Sequence, residues 1–215
     1  LKGGFETVLW DINAEALEKG VGSVRKTFDY PIKKRKMKPA DLETMLEKQL
    51  MATTSLEDLK DVDLIIEAVL ENMAVKQDIW KKLEGICRPD AVFATNTSAL
   101  PITEMASILN DPGRMIGLHF FNPAHRMMLL EIICAQKTSD QTLATSVSFA
   151  RAIKKIPIVV NDGPGFYVSR QLGGLLGGAV YLTANGVDGA KIEAAMLDFG
   201  MPMGPATLSD LTGID

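Results

Sequence analysis

The sequence predicts an α/β fold, an open and mainly parallel sheet that gives way to an all-helical segment. Three observations carry this. Short apolar runs that read as buried strands recur at Thr7–Trp10, Val62–Ile66, Val92–Thr95, Met115–Leu118 and Ile156–Val160. Helical stretches follow several of them, the alternation that builds a parallel sheet. Beyond Asn161-Asp162-Gly163-Pro164-Gly165 no β-rich segment returns. The expected domains are therefore 1–162, carrying the sheet, and 163–215, helical.

Composition narrows the classes. A chain of 215 residues, 47% hydrophobic, can bury one good core or one and a half. A net charge of −4 argues against a nucleic-acid-binding surface. Cys87 and Cys134 both sit in apolar surroundings, which suggests a reducing compartment and no disulfide framework. No apolar run is long enough to span a bilayer, and the first residues do not read as a signal peptide. No metal site is expected. Leu1-Lys2-Gly3-Gly4-Phe5-Glu6 enters a strand abruptly, which reads as a fragment boundary.

Thr7–Trp10 is a strand ending in Asp11, with a helix from about Asn13. An acidic residue closing the second strand of a Rossmann-type domain hydrogen-bonds the adenosine ribose and favours NAD over NADP. Capping of the next helix is the alternative role for Asp11. The glycine-rich phosphate loop belongs about 20 residues upstream of such a residue, so it and the first strand are expected to precede Leu1. Residues 13–50 read as helical, broken near Pro31 and Pro39. The basic run Lys33-Lys34-Arg35-Lys36-Met37-Lys38 is a solvated helix end or a docking surface for phosphates.

Val62–Ile66 is the next strand, with Glu67 and Glu71 flanking its end. In the helix that follows, Val75, Ile79, Leu83 and Ile86 are spaced for one apolar face, and Lys76 reads locally as a surface lysine. Val92–Thr95 runs into a turn at Ser98, and Pro101 opens a short helix. Thr138-x-x-Gln141 has the form of a capping box for a helix reaching about Lys154. Past the boundary, one helix is expected from Gly165-Phe166 to about Asn185. Its pairs Gly173-Gly174 and Gly177-Gly178 each place about 1 kcal/mol per glycine against the helix, which suggests close helix packing. Gly186 closes it, Asp188 caps a second helix to Phe199, and Gly200 closes that one.

Ser98, His119 and Glu131 stand out chemically. Ser98 and His119 are expected just past the carboxyl ends of two strands, the edge where open α/β sheets bind ligands. Glu131 lies inside the apolar run Met127-Met128-Leu129-Leu130-Glu131-Ile132-Ile133-Cys134. Burying a carboxylate there without a partner costs on the order of 2–7 kcal/mol, so it needs one, and an imidazole suits. A His–Glu pair beside a hydroxyl is equipped to take a proton off an alcohol. A structural histidine at a strand end is the plainer alternative.

ATNTSALPI (94–102), IGLHFFNP (116–123), LLEII (129–133), DGPGFY (162–167) and MPMGPATLSDLTGID (201–215), with DLIIEAVLEN (63–72) and Lys76, resemble the L-3-hydroxyacyl-CoA dehydrogenase family over nearly the whole chain. NTSALP and DGPGFY look most like the multifunctional β-oxidation enzymes, in which this unit is fused to an enoyl-CoA hydratase. The resemblance implies NAD-dependent oxidation of a 3-hydroxyacyl-CoA, with His119 as base, Glu131 as its orienting partner and Ser98 hydrogen-bonding the substrate oxygen beside the nicotinamide. It implies cofactor contacts at Asp11, Val69, Leu70, Glu71, Lys76, Ser98 and Asn122, part of the coenzyme A site near the basic run, and substrate contact at Ser169. At Ser169 the family usually has asparagine, and a hydroxyl reaches less far than an amide. A dimer through the helical domain and association with a thiolase are also implied. The compartment would be the cytoplasm of a bacterium, or the mitochondrial matrix or peroxisome. A dehydrogenase for a small hydroxy acid, or a non-catalytic scaffold, would preserve much of the same pattern.

Overall fold

A computed structural model describes residues 1–212. Gly213-Ile214-Asp215, the tail of the 201–215 motif, lie outside the described residues. Two compact units appear, Leu1–Gly163 and Pro164–Asp215.

In the first unit, β1 (Thr7–Trp10) pairs in parallel with β2 (Leu50–Thr53) as a two-stranded sheet. A second sheet runs in the order β3 (Leu64–Glu67), β4 (Val92–Thr95), β5 (Met115–Phe120), β6 (Leu129–Cys134) and β7 (Ile156–Asn161). Its pairs are parallel except β5–β6, which is antiparallel. Only residues 121–128 join those two strands, too few for the crossover that a parallel neighbour needs.

Two faces follow from the period of two. Val92, Ala94, Ile116, Leu118, Leu130 and Ile132 form a buried cluster with Ala150 of α6 (Asp140–Ala152). The opposite face carries Phe93, Thr95, Gly117, His119, Glu131 and Ile133. Trp80 of α4 (Met73–Ile86) stacks on Phe93 there, ring centroids 5.0 Å apart. Gly117 is required on this face. A Cβ on it would lie 2.3 Å from Ile102 Cδ1 of α5 (Ile102–Ala106) and 2.9 Å from Ile133 Cβ.

The helices correct several expectations. Strand β2 begins at Leu50, the last residue of the stretch read as helical, and pairing with β1 overrides the helix preference of Leu50, Met51 and Ala52. The break in the first helical stretch falls at Thr27–Phe28, between α1 (Ala14–Lys26) and α2 (Asp29–Lys33), and Pro31 sits in the first turn of α2, where proline is tolerated. The third helix, α3 (Pro39–Gln49), does begin at its proline. On α4 the buried positions are Lys76, Trp80 and Leu83, while Val75 is exposed. Ser139, not Thr138, caps α6, accepting from the Thr142 N–H at 3.2 Å. Thr138 instead donates to the Met115 carbonyl at 2.7 Å.

The second unit contains α7 (Val168–Ala184), α8 (Gly189–Asp198) and α9 (Pro205–Thr212). Helix α7 starts later than expected, since Gly165 and Phe166 both have positive φ. Among the described residues, a Cβ at Gly173, Gly174, Gly177 or Gly178 meets nothing within 4 Å, so the expected close helix packing is not there. Asp188 caps α8 through the Ala190 N–H at 2.9 Å.

Candidate active site

The antiparallel register sets His119 opposite Glu131, and directly opposed residues share a face within side-chain reach. Their side chains meet, Nδ1 to Oε2, at 2.6 Å. Glu131 is 0% exposed and His119 6%. A carboxylate only accepts hydrogen bonds, so Nδ1 carries the hydrogen and the ring is fixed in orientation with Nε2 on its far edge. The Phe121 ring lies 4.5 Å from the imidazole centroid. His119 belongs to β5 itself, one residue before its end, rather than just beyond the strand.

Ser98 is exposed in the turn after β4. Asn96 Oδ1, in the same turn, accepts from the Phe120 N–H at 2.9 Å, tying the serine turn to the residue after His119. Thr97 is buried and donates its hydroxyl to Glu71, and the Ser98 N–H reaches the same carboxylate at 3.3 Å. Partial burial opposes ionisation of Glu71, but the hydrogen bonds from Thr97, Lys76 and Ser98 outweigh it and hold its carboxyl below the usual range.

Lys76 is 1% exposed, with its ammonium 2.6 Å from Glu67 Oε1 and 3.1 Å from Glu71 Oε2. Its local reading as a surface lysine is wrong, because two carboxylates let the charge be buried. Beside this group Leu70 is 73% exposed and Val69 half-buried. Asn122 is exposed in the β5–β6 loop. Asp11, closing β1, accepts from the Asn13 N–H at 2.8 Å, while Asn13 itself caps α1. Ser169 is the second residue of α7, in the other unit. Asn96, Thr97 and Glu67 were not singled out as site residues; their signal was the polar cluster at two successive strand ends.

A separate cleft of about 470 Å³ is lined by Lys2, Lys26, Thr27, Tyr30, Pro31, His125 and Arg126. Desolvation, and then the positive charges of Lys2, Arg126 and Lys155, hold the His125 imidazole below its usual value. Lys155 donates to the Ala124 and Met127 carbonyls and shapes the loop that presents His125 and Arg126. Cations from α1 and from the β5–β6 loop thus face one space.

Residues 1–163 match the family model described as 3-hydroxyacyl-CoA dehydrogenase, NAD binding domain, and residues 165–215 match the C-terminal domain of the same family. The chain belongs to the 3-hydroxyacyl-CoA dehydrogenase family. It is 39% identical over 212 residues to the fatty acid oxidation complex subunit alpha of Psychrobacter sp. (strain PRwf-1), covering 99% of this chain and 29% of that one. With the same-named subunit of Pseudomonas putida (strain F1) identity is 41%, covering 99% and 30%. The chain thus spans about three tenths of the length of these curated relatives. Among solved structures, (S)-3-hydroxybutyryl-CoA dehydrogenase PaaH1 from Ralstonia eutropha superposes with a TM-score of 0.93 at 36% identity, covering 99% of this chain and 75% of that one. The 3-hydroxybutyryl-CoA dehydrogenase of Escherichia coli K12 gives 0.92 at 32%, covering 99% and 45%. In this 3-hydroxyacyl-CoA dehydrogenase fold the buried His119–Glu131 pair and the exposed Ser98 turn belong to the domain matched as NAD-binding.

Proposed function

We propose that the protein carrying this chain oxidises L-3-hydroxyacyl-CoA to 3-oxoacyl-CoA with NAD. The observation that carries the reading is the 2.6 Å contact between His119 Nδ1 and the fully buried Glu131. The cofactor is assigned to the carboxyl ends of β1, in one sheet, and of β3 to β5, in the other. Asp11 offers a carboxylate for the adenosine ribose, and Val69, Leu70 and Glu71 offer an apolar and half-open surface for the nicotinamide half, with Lys76 behind Glu71. Ser98 and Asn122 complete this wall. Bound NAD supplies the hydride acceptor.

His119 Nε2 takes the hydroxyl proton of the substrate, and Glu131 stabilises the imidazolium that forms. General-base help of this kind contributes about 10²–10⁴-fold. Ser98 hydrogen-bonds the reacting oxygen and steadies it as the carbonyl develops. The basic cleft holds phosphates of coenzyme A. In the complete protein, acetoacetyl-CoA drives oxidation of NADH and free acetoacetate does not. Equal rates on the two would favour a small-acid dehydrogenase, and no rate on either would favour a scaffold.

The cleft has its own test. Arg126→Glu raises KM for acetoacetyl-CoA by about two- to fivefold, the scale of a partly exposed ionic contact. The phosphate-free acetoacetyl-N-acetylcysteamine thioester keeps its parental KM. An equal rise for both substrates would remove the phosphates from the cleft.

Ser169 anchors the acyl carbonyl in place of the family's usual asparagine, through a shorter side chain and a bridging water. Ser169→Asn then keeps or raises kcat/KM, whereas Ser169→Ala lowers it a few-fold, up to about tenfold. An unchanged value in the alanine variant, with an unchanged Tm, takes Ser169 out of the site.

The same reading includes an enoyl-CoA hydratase on the same polypeptide, a thiolase partner, dimerisation through the helical unit and a bacterial cytoplasm. The relatives' description as subunits of a fatty acid oxidation complex, their greater length and their bacterial sources support it. The exposed apolar surface of the helical unit supports the dimer, with Val180 and Tyr181 each 69% exposed.

A further inference from the structure

We propose that Glu67 is a positioning residue, the root of a side-chain network that shapes the Ser98 turn. It takes no part in the chemistry above. Yet it is buried at the end of β3 and opposes Thr95 in the register. Oε1 of Glu67 accepts from Lys76 Nζ at 2.6 Å and from the Val69 N–H at 2.7 Å. Oε2 accepts from the Thr95 hydroxyl at 2.8 Å. Both oxygens are therefore committed, one toward α4 and the other toward β4.

Two branches run from there to the turn. Along the first, Thr95 Oγ1 accepts the Thr97 N–H at 3.3 Å. Along the second, Lys76 bridges to Glu71, which accepts the Thr97 hydroxyl and the Ser98 N–H. Thr97 Oγ1 in turn accepts the N–H groups of Ala99 at 3.3 Å and Leu100 at 3.0 Å. Four successive amides, from Thr97 to Leu100, thus donate to side chains of one network, and no strand among the described residues pairs with them. A buried ion pair contributes little stability over apolar residues of similar volume, and its attested use is to specify geometry. The pair of Glu67 and Lys76 fits that use, because both its outward arms end on the same turn.

This rests on the dehydrogenase reading for its kinetic consequence but not for its structural one. The test compares the complete parent protein with Glu67→Gln and Glu67→Gln/Lys76→Met. It reads Tm, amide hydrogen exchange across residues 97–100, and kcat with acetoacetyl-CoA and NADH. The single variant is expected to speed exchange in 97–100 by about tenfold and to lower kcat by about tenfold, with KM for acetoacetyl-CoA little changed. The double variant removes both charges, so Tm recovers while exchange in 97–100 stays fast. Parental exchange there in Glu67→Gln overturns the proposal, and so does exchange in the double variant that returns to the parental rate together with Tm. A parent inactive on acetoacetyl-CoA defeats the dehydrogenase reading alone, since the exchange measurement uses no substrate.

Discussion

Replacing His119 by glutamine in the complete protein lowers kcat by about 10²–10⁴-fold, the range for a lost general base, and leaves KM for acetoacetyl-CoA within about twofold. On the proposed reading the split follows because Nε2 acts on a proton that moves only in the transition state, whereas the thioester and its coenzyme A are held elsewhere. Glutamine fills a similar volume in the space between Glu131 and Phe121, so the Tm of the variant stays high enough for measurement. Glu131→Gln gives an intermediate loss, about ten- to a hundredfold, because the neutral amide no longer steadies the positive ring and can turn either its oxygen or its NH2 toward Nδ1, so the tautomer is less firmly fixed. A His119→Gln enzyme with kcat within tenfold of the parent would mean that another group takes the proton. A Glu131→Gln enzyme with parental kcat would reduce the 2.6 Å contact to a packing detail.

Gly117→Ala has the largest expected effect on stability. The added methyl would lie 2.3 Å from Ile102 Cδ1 and 2.9 Å from two atoms of Ile133, and all three residues are held by the middle of the sheet or by the helix laid on it. Overpacking of this kind costs about 1–3 kcal/mol, which corresponds to roughly 2–4 °C of Tm for each kcal/mol in a domain of this size. Ile102→Val removes the Cδ1 atom that the new methyl strikes first. Combined with Gly117→Ala it therefore recovers part of the loss, although alone it destabilises, and the two changes are non-additive. Calorimetry on the four proteins checks this. Simple addition of the two losses would show that Ile133 or the backbone, not Ile102, sets the limit.

The residues that bear on chemistry were legible where a local rule broke. Glu131 was visible because a carboxylate interrupts an apolar run, and that predicted a buried partner. Ser98 stood out because a strand ends in polar residues. The antiparallel pairing of β5 with β6 lies outside the sequence reading, which has Leu129–Cys134 only as an apolar run around Glu131 and no strand there. Once β6 is seen, the eight connecting residues explain its direction, since they cannot make a crossover. Lys76 was not readable. Apolar periodicity treats lysine as outward-facing, and what lets it turn inward is a pair of carboxylates contributed by a strand end and a loop. Strand β2 was hidden for a related reason. Three of its four residues, Leu50, Met51 and Ala52, are helix formers with no period of their own, and only the edge of β1 makes the segment extended. Glu67 looked like one acidic residue among several until the register put it against Thr95.

The pairing of His119 with Glu131 rung against rung has a consequence for how such a protein changes over time. The His119–Glu131 pair is fixed by the mutual spacing of two interior strands, whereas Asn122, His125 and Arg126 ride on the link between them. Mutation can lengthen, recharge or replace that link without altering the distance on which acid–base work depends. On the proposed reading, substrate preference is thereby free to drift while the buried pair stays inherited intact. On the same reading, grafting residues 123–128 from one relative to another, with Asn122 kept, is a route to new acyl carriers.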